Sequence, residues 1–191
     1  MEHQGFSEAV KAAEERFTRI VGEPCTISIY SKLNDNIEGI VKGIETQQFR
    51  KELRYSHEEF LFRSRKKGFT LIMVRGYEKT LAFFFGYEDE DLPGGFYGDT
   101  LASLIEGKGL GTTLFTIVHL YCYFKGYSHF TCNTEERDEK GRRLREWYKA
   151  TGMEYIKTDP KEGDLMRVRL TKEHITWMYR RFILGDKNAV R

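Results

Sequence analysis

A chain of 191 residues, 40% hydrophobic and 31% charged with a formal net charge of +2, can enclose one sizeable core but not two, and it is not a disordered or fibrous protein. Basic and acidic residues are interspersed, which argues against nucleic acid as the main partner. Cys25, Cys122 and Cys132 form no close pair, Met1-Glu2-His3-Gln4-Gly5 is polar rather than an export signal, and no apolar run approaches the roughly 20 residues of a membrane helix, so reduced thiols and a cytoplasmic location are expected.

The first predicted element is a helix over 7–21, with Ser7 as N-cap, Gly22 as stop, and Val10, Ala13, Phe17 and Ile20 on one face. Thr26 to Tyr30 alternates with period two, as a strand does. Asp35 then caps a helix whose inward stripe is Ile37, Ile40, Val41 and Ile44. Ser56 and Glu59 form a capping box that opens a helix through Phe60 and Leu61 to Gly68, while 47–55 reads neither way. Strands follow near 69–75 and 80–87, joined by the turn Gly76-Tyr77-Glu78-Lys79 as an antiparallel hairpin. The acidic run Glu88-Asp89-Glu90-Asp91 ends at Pro93-Gly94-Gly95, and a strand covers 96–104.

After a glycine-rich turn, a helix is predicted over 111–125, buried through Leu114, Ile117, Val118 and Tyr121 and ended by Gly126. A strand over 127–133, a helix over 140–151 stopped by Gly152, and strands near 153–157 and 165–170 complete the core. Ile175, Met178, Tyr179 and Phe182 place an amphipathic helix at the C-terminus. The order defines an α+β or α/β fold, a mixed sheet flanked by helices, over 1–191 as a single domain.

Strand, glycine turn and helix is the arrangement that presents unpartnered backbone N–H groups to an anion. In Glu106-Gly107-Lys108-Gly109-Leu110-Gly111-Thr112-Thr113, three glycines remove Cβ atoms, Lys108 adds positive charge, and Thr112 and Thr113 supply hydroxyls. A pyrophosphate fits this description; so does a tight turn with no ligand. A Walker loop is excluded because Lys108 is followed by Gly109, and a Rossmann fingerprint because its third glycine falls on Thr112 with no βαβ unit around it.

The stretch from Glu106 to Leu114, followed by Phe124-Lys125-Gly126-Tyr127 and by Trp147-Tyr148-Lys149-Ala150-Thr151-Gly152-Met153, resembles the GNAT superfamily of acetyl-CoA-dependent N-acetyltransferases. Gly109 and Gly111 match the two glycines of the family's Gln/Arg-x-x-Gly-x-Gly/Ala motif, Tyr148 its tyrosine, and Gly152-Met153 its Gly-Phe pair. Two positions depart: Glu106 stands where the family prefers Gln or Arg, and Gly141 where it often has Asn. The resemblance implies a mostly antiparallel sheet of about seven strands, a core over about 26–171, and added terminal helices over about 7–21 and 172–184. It also implies acetyl-CoA as co-substrate without a metal. Lys108, Gly109, Leu110, Gly111, Thr112 and Thr113 would hold the pyrophosphate, and backbone N–H groups around Leu101 to Ser103 would polarise the thioester. Tyr148 would protonate the departing thiolate, and a base on the fourth strand would deprotonate an amine, with Asp99 and Tyr97 as candidates. The acceptor would be a small-molecule or protein amine, set by the loops near 47–56 and 158–164. A non-catalytic acyl-CoA-binding module, or a donor such as succinyl-CoA, would keep the same motifs.

The other features have plainer readings. Glu88 to Asp91 is a solvated loop, Arg63 to Lys67 complements a helix dipole, and Phe83-Phe84-Phe85 is core. Arg142 and Arg143 lie within reach of cofactor phosphates or simply in solvent. His119 packs within its helix, and the histidines and cysteines lack metal-ligand spacing. The Ile175/Met178/Tyr179/Phe182 stripe covers its own sheet or pairs two subunits as a homodimer.

Overall fold

The computed structural model describes residues 2–138 and 140–190. It opens with α1 (Glu2–Val21), β1 (Thr26–Tyr30), α2 (Asp35–Gln48) and α3 (His57–Ser64). There follow β2 (Thr70–Arg75), β3 (Thr80–Glu88), β4 (Gly95–Ser103), α4 (Leu110–Phe124), β5 (His129–Thr134) and α5 (Leu144–Ala150). The chain ends with β6 (Glu154–Asp159), β7 (Gly163–Arg169) and α6 (Lys172–Met178), which passes into a π-helical turn, Tyr179–Ile183. The sheet has seven strands in the order β1-β2-β3-β4-β5-β7-β6. Every neighbouring pair is antiparallel except β4 and β5, which are parallel. This is the mostly antiparallel α+β sheet expected.

Both faces of the sheet are covered, so β2 and β3 read as continuous apolar runs and are buried along nearly their whole length. On one face, Ala9, Ala13 and Phe17 of α1 meet α4 and α6 over Ile72, Phe84, Phe96 and Phe130. On the other, Ile37, Val41 and Ile44 of α2 and Phe60 of α3 pack on Leu71, Met73, Phe83 and Phe85. Each fully buried side chain of this kind contributes about 1.5–3 kcal/mol relative to exposure.

Local chemistry moves several predicted boundaries. The N-terminal helix begins at Glu2, ahead of Ser7, and Gly22 ends it with φ +88°. The cap of α2 is Asn34, whose side chain accepts the Ile37 N–H at 2.9 Å, while Asp35 sits in the first turn. The Ser56/Glu59 capping box forms as predicted. The ambiguous stretch resolves into the end of α2 and a 3₁₀ turn, Lys51–Leu53. The helix predicted from Lys140 starts instead at Leu144. Asp138 accepts the N–H groups of Lys140 and Arg142, and Gly141 turns at φ +73°, so this segment is a closed loop.

The terminal stripe is consumed within the chain. Ile175 and Met178 are buried against α4 and the sheet, and Tyr179 and Phe182 pack on the same cluster. It is therefore not a free surface for a homodimer. His119 is not confined to its own helix: its Nδ1 lies 3.2 Å from His174 Nε2 and 3.0 Å from Met178 Sδ, which joins α4 to α6.

Candidate active site

The site begins with an irregularity in β4. Gly86 pairs with Gly98 and Phe85 with Thr100, leaving Asp99 as the extra residue of a β-bulge. A bulge bends its strand and re-aims the side chain it carries. The paired glycines are required here: a Cβ on Gly98 would stand 2.3 Å from the Phe130 ring, and one on Gly86 2.3 Å from the Tyr97 carbonyl oxygen. Beyond the bulge the strands separate. β4 and β5 pair only from Gly95↔His129 to Gly98↔Cys132. β4 then stays with β3 as far as Ser103↔Ala82, and β5 stays with β7 as far as Thr134↔Asp164. The β5-facing edge of β4 from Asp99 to Ser103, which includes Leu101, has no strand partner there.

At the open end of this gap the chain turns into α4. Gly107 and Gly109 have φ of +73° and +84°, a region that costs other residues about 1–2 kcal/mol, and Gly109 is the N-cap. The first-turn N–H groups of Leu110, Gly111 and Thr112 precede the first intrahelical bond, which runs from Thr113 N–H to the Gly109 carbonyl at 3.0 Å. Gly111 has no positive φ, and a Cβ there would meet only Leu101 Cδ2 at 3.7 Å, so nothing inside the protein demands a glycine at 111. Lys108 is exposed on the turn. Leu110 is fully buried, so only its backbone faces the site. Thr113 is a correction to the expected ligand set: its side chain is buried and its hydroxyl donates to the Gly109 carbonyl at 3.0 Å. Thr112 keeps its hydroxyl on the loop, where it accepts the Trp147 indole N–H at 3.2 Å. Ser103 Oγ closes the turn after β4 by donating to the Ile105 carbonyl at 3.0 Å.

Glu106 does not leave an uncompensated charge beside this loop. Lys140 lies 2.5 Å and Arg142 3.3 Å from its carboxylate, so Glu106 draws the loop carrying those two cations alongside the glycine turn. Gly141, where the resembled family often has Asn, supplies the backbone turn of that loop.

Polar groups from both sheet faces meet in the gap. From the α4 side, Tyr148 packs on Phe115 and Trp147 with ring centroids 5.5 and 4.7 Å apart. Its hydroxyl lies beside the Cys132 thiol, which is directed to Met153 Sδ at 4.0 Å. Burial, then Cys132, hold the Tyr148 pKa well above the ordinary value, and burial pushes the Cys132 thiol up to about 12. From the α2 side comes Tyr97, its pKa also raised by burial and then by Asp99, with Cys132 and Tyr55 nearby.

Asp99 is held rather than free. Its Oδ1 accepts from Tyr55 at 2.7 Å and Thr100 at 3.0 Å, and its Oδ2 accepts from Tyr87 at 2.6 Å and Arg63 at 3.2 Å. The Arg63 guanidinium also lies 3.8 Å above the Tyr55 ring. Four donors saturate the two oxygens and leave no vacant lone pair directed at a substrate.

One residue of this cluster escapes a motif-based reading. Glu45, in the last turn of α2, is only 2% exposed, and among the described residues its Oε1 has no hydrogen-bond partner. Burial, with Asp99 adding to it, raises its pKa to about 7, while Lys42, Arg54 and Arg63 pull the other way. The signal was present in the spacing: the inward stripe of Ile37 and Val41 continues, four residues on, to Glu45.

No family model and no curated protein matches this sequence. Solved structures do match, and what they show is the fold, which is that of the GNAT N-acetyltransferases. The ribosomal-protein-S18-alanine N-acetyltransferase from Escherichia coli superposes with a TM-score of 0.61 at 13% identity, covering 77% of this chain and 94% of its own. The PaiA N-acetyltransferase from Thermoplasma acidophilum, in complex with coenzyme A, gives 0.55 at 13% identity, with 75% and 99% covered. An aminoglycoside 6′-N-acetyltransferase complexed with coenzyme A gives 0.62 at 11% identity, with 76% and 97% covered. Among the described residues no group of histidines, cysteines and carboxylates could hold a metal ion, and no helix is long and apolar enough to cross a membrane.

Proposed function

We propose that this chain is an N-acetyltransferase that moves an acetyl group from acetyl-CoA to a primary amine by direct attack in a ternary complex. The observation that carries this reading is the place of the glycine turn: the unpartnered N–H groups at the start of α4 lie at the mouth of the gap opened by the Asp99 bulge. The N–H groups of Leu110, Gly111 and Thr112, the Thr112 hydroxyl and the Lys108 cation hold a pyrophosphate. The β4 edge around Leu101 to Ser103 offers backbone N–H groups to the thioester carbonyl, where negative charge develops. Tyr148, kept protonated by its setting, gives its proton to the departing thiolate. The coenzyme A bound in two of the matched structures and the amine acceptors in the names of their relatives support this reading. A cytoplasmic setting suits the three free, buried cysteines.

Gly111→Ala tests the reading. The internal space tolerates the methyl group, so the unliganded melting temperature should stay within about 2 °C, an effect below ~0.5 kcal/mol. Affinity for coenzyme A by calorimetry should fall about tenfold or more, roughly 1.4 kcal/mol. An unchanged affinity would remove the proposed pyrophosphate site. The saturated Asp99 favours a second reading, a non-catalytic acyl-CoA-binding module. Binding of acetyl-CoA with no thiol release across polyamine, aminoglycoside and peptide amines would select it.

A further inference from the structure

Two carboxylates that α2 and the β4 bulge bring near each other, Glu45 and Asp99, have opposite surroundings. Asp99 is surrounded by the hydroxyls of Tyr55, Tyr87 and Thr100 and by the Arg63 guanidinium. Glu45 is just as deeply buried but lacks such a shell. Its Oε1 makes no hydrogen bond among the described residues, and the α2 cation one turn before it, Lys42, lies 2.9 Å from Glu38 instead. From α3 and the turn before it, the charges of Arg63 and Arg54 act on Glu45, but Arg63 is directed to Asp99, as is the Tyr55 hydroxyl, and Arg54 Nε donates to the Phe49 carbonyl at 2.7 Å. A carboxylate whose oxygens are all engaged can only hold its donors in place, whereas one with a buried oxygen left without a donor has a site at which to take up a proton.

We infer that Glu45 is the proton acceptor for the amine, through an intervening water, with Asp99 as the fully hydrogen-bonded carboxylate that positions Tyr55 and Arg63; this rests on the acetyltransferase reading above. An acceptor amine enters as an ammonium ion and must lose a proton before it can attack. Glu45 takes that proton. The neutral nitrogen then forms a bond to the thioester carbon, the carbon–sulfur bond breaks, and the thiolate takes the Tyr148 proton. The second proton shed by the nitrogen restores Tyr148, and the one on Glu45 leaves to solvent. A carboxyl group with a pKa raised to about 7 suits this exchange at neutral pH better than an ordinary carboxylate.

The test is the pH dependence of kcat/KM for thiol release from acetyl-CoA by the full chain, with spermidine, an aminoglycoside and a short peptide bearing a free α-amino group as probes. Wild-type activity should fall below a single ionisation near pH 7. Glu45→Gln should lower kcat/KM about 10²-fold at that pH, abolish the ionisation, and recover steadily toward about pH 10 as solvent deprotonates the amine. Its affinity for coenzyme A should match wild type, and Glu45→Asp should keep the ionisation at a reduced rate. A Gln variant with the wild-type rate and profile would overturn the assignment and leave the acetyltransferase reading standing. Wild-type protein that releases no thiol with any of the three probes would overturn both.

Discussion

The Tyr148 hydroxyl and the Cys132 thiol lie against each other in a setting that keeps both protonated at neutral pH. A Tyr148→Phe variant keeps the ring that packs on Phe115 and Trp147, so its stability should change by no more than about 1 kcal/mol. Its kcat should fall about 10²-fold with coenzyme A affinity unchanged, measured by thiol release and calorimetry; equal losses in both would make Tyr148 a packing residue. The position of Tyr148, beside Cys132 and Tyr97, is what a short segment of sequence could point to, a tyrosine four residues before Gly152-Met153. Glu45 was not, because a charged residue on a helix is ordinarily solvated, and only the continuation of the Ile37/Val41 stripe marks it as inward. Asp99 was legible by position but not by state. Its partners come from β3, α3 and the segment before α3, and Tyr55 lay in the stretch whose pattern fitted neither helix nor strand.

At the scale of elements, the gap between β4 and β5 depends on one pair of glycines and one extra residue. Gly98→Ala would place a methyl group 2.3 Å from the Phe130 ring, at the last residue pair joining the two strands. Overpacking of this kind should cost about 1–3 kcal/mol in urea unfolding. It should also reduce coenzyme A affinity, because the ring can yield only by shifting β5 against β4. A variant with wild-type stability would show that the strands already have slack there. The family resemblance implies a gap between these two strands, near 101–104 and 130–133, but periodicity alone shows none of this geometry. Alternation and turn residues locate strands, but the register slip at Asp99 and the parallel β4–β5 pairing are contacts between distant segments. The helix before Gly152 was found for the same local reasons that let its start be misplaced. Lys140 to Arg143 have acceptable helix propensity, and the loop wins only because Asp138 and the left-handed Gly141 close it together.

Across the whole molecule, two buried ionisable groups on opposite faces of the sheet pull its pH stability in opposite directions. His119, enclosed by Phe115 and Phe130 and facing His174, has its pKa lowered well below the ordinary value by burial and then by His174. Below about pH 6.5 the unfolded chain therefore binds a proton that the folded chain refuses, and stability falls as the pH falls, by up to ~1.4 kcal/mol per pH unit. Glu45 acts with the reverse sign. With its pKa raised to about 7, the folded chain holds a proton that the unfolded chain releases above the usual carboxylate range near ~4.3. Its contribution is full at low pH and is lost as the pH rises toward 7. Between about pH 4.5 and 6.5 the two slopes oppose each other, and because the groups lie in separate cores they should add independently. Urea unfolding of wild type across that window should thus show only a shallow dependence from this pair. Glu45→Gln should expose the His119 slope, with stability dropping toward acid, and His119→Gln should expose the Glu45 slope, with stability rising toward acid. Parallel pH profiles for the three proteins would mean that neither group is held in the protonation state its burial imposes.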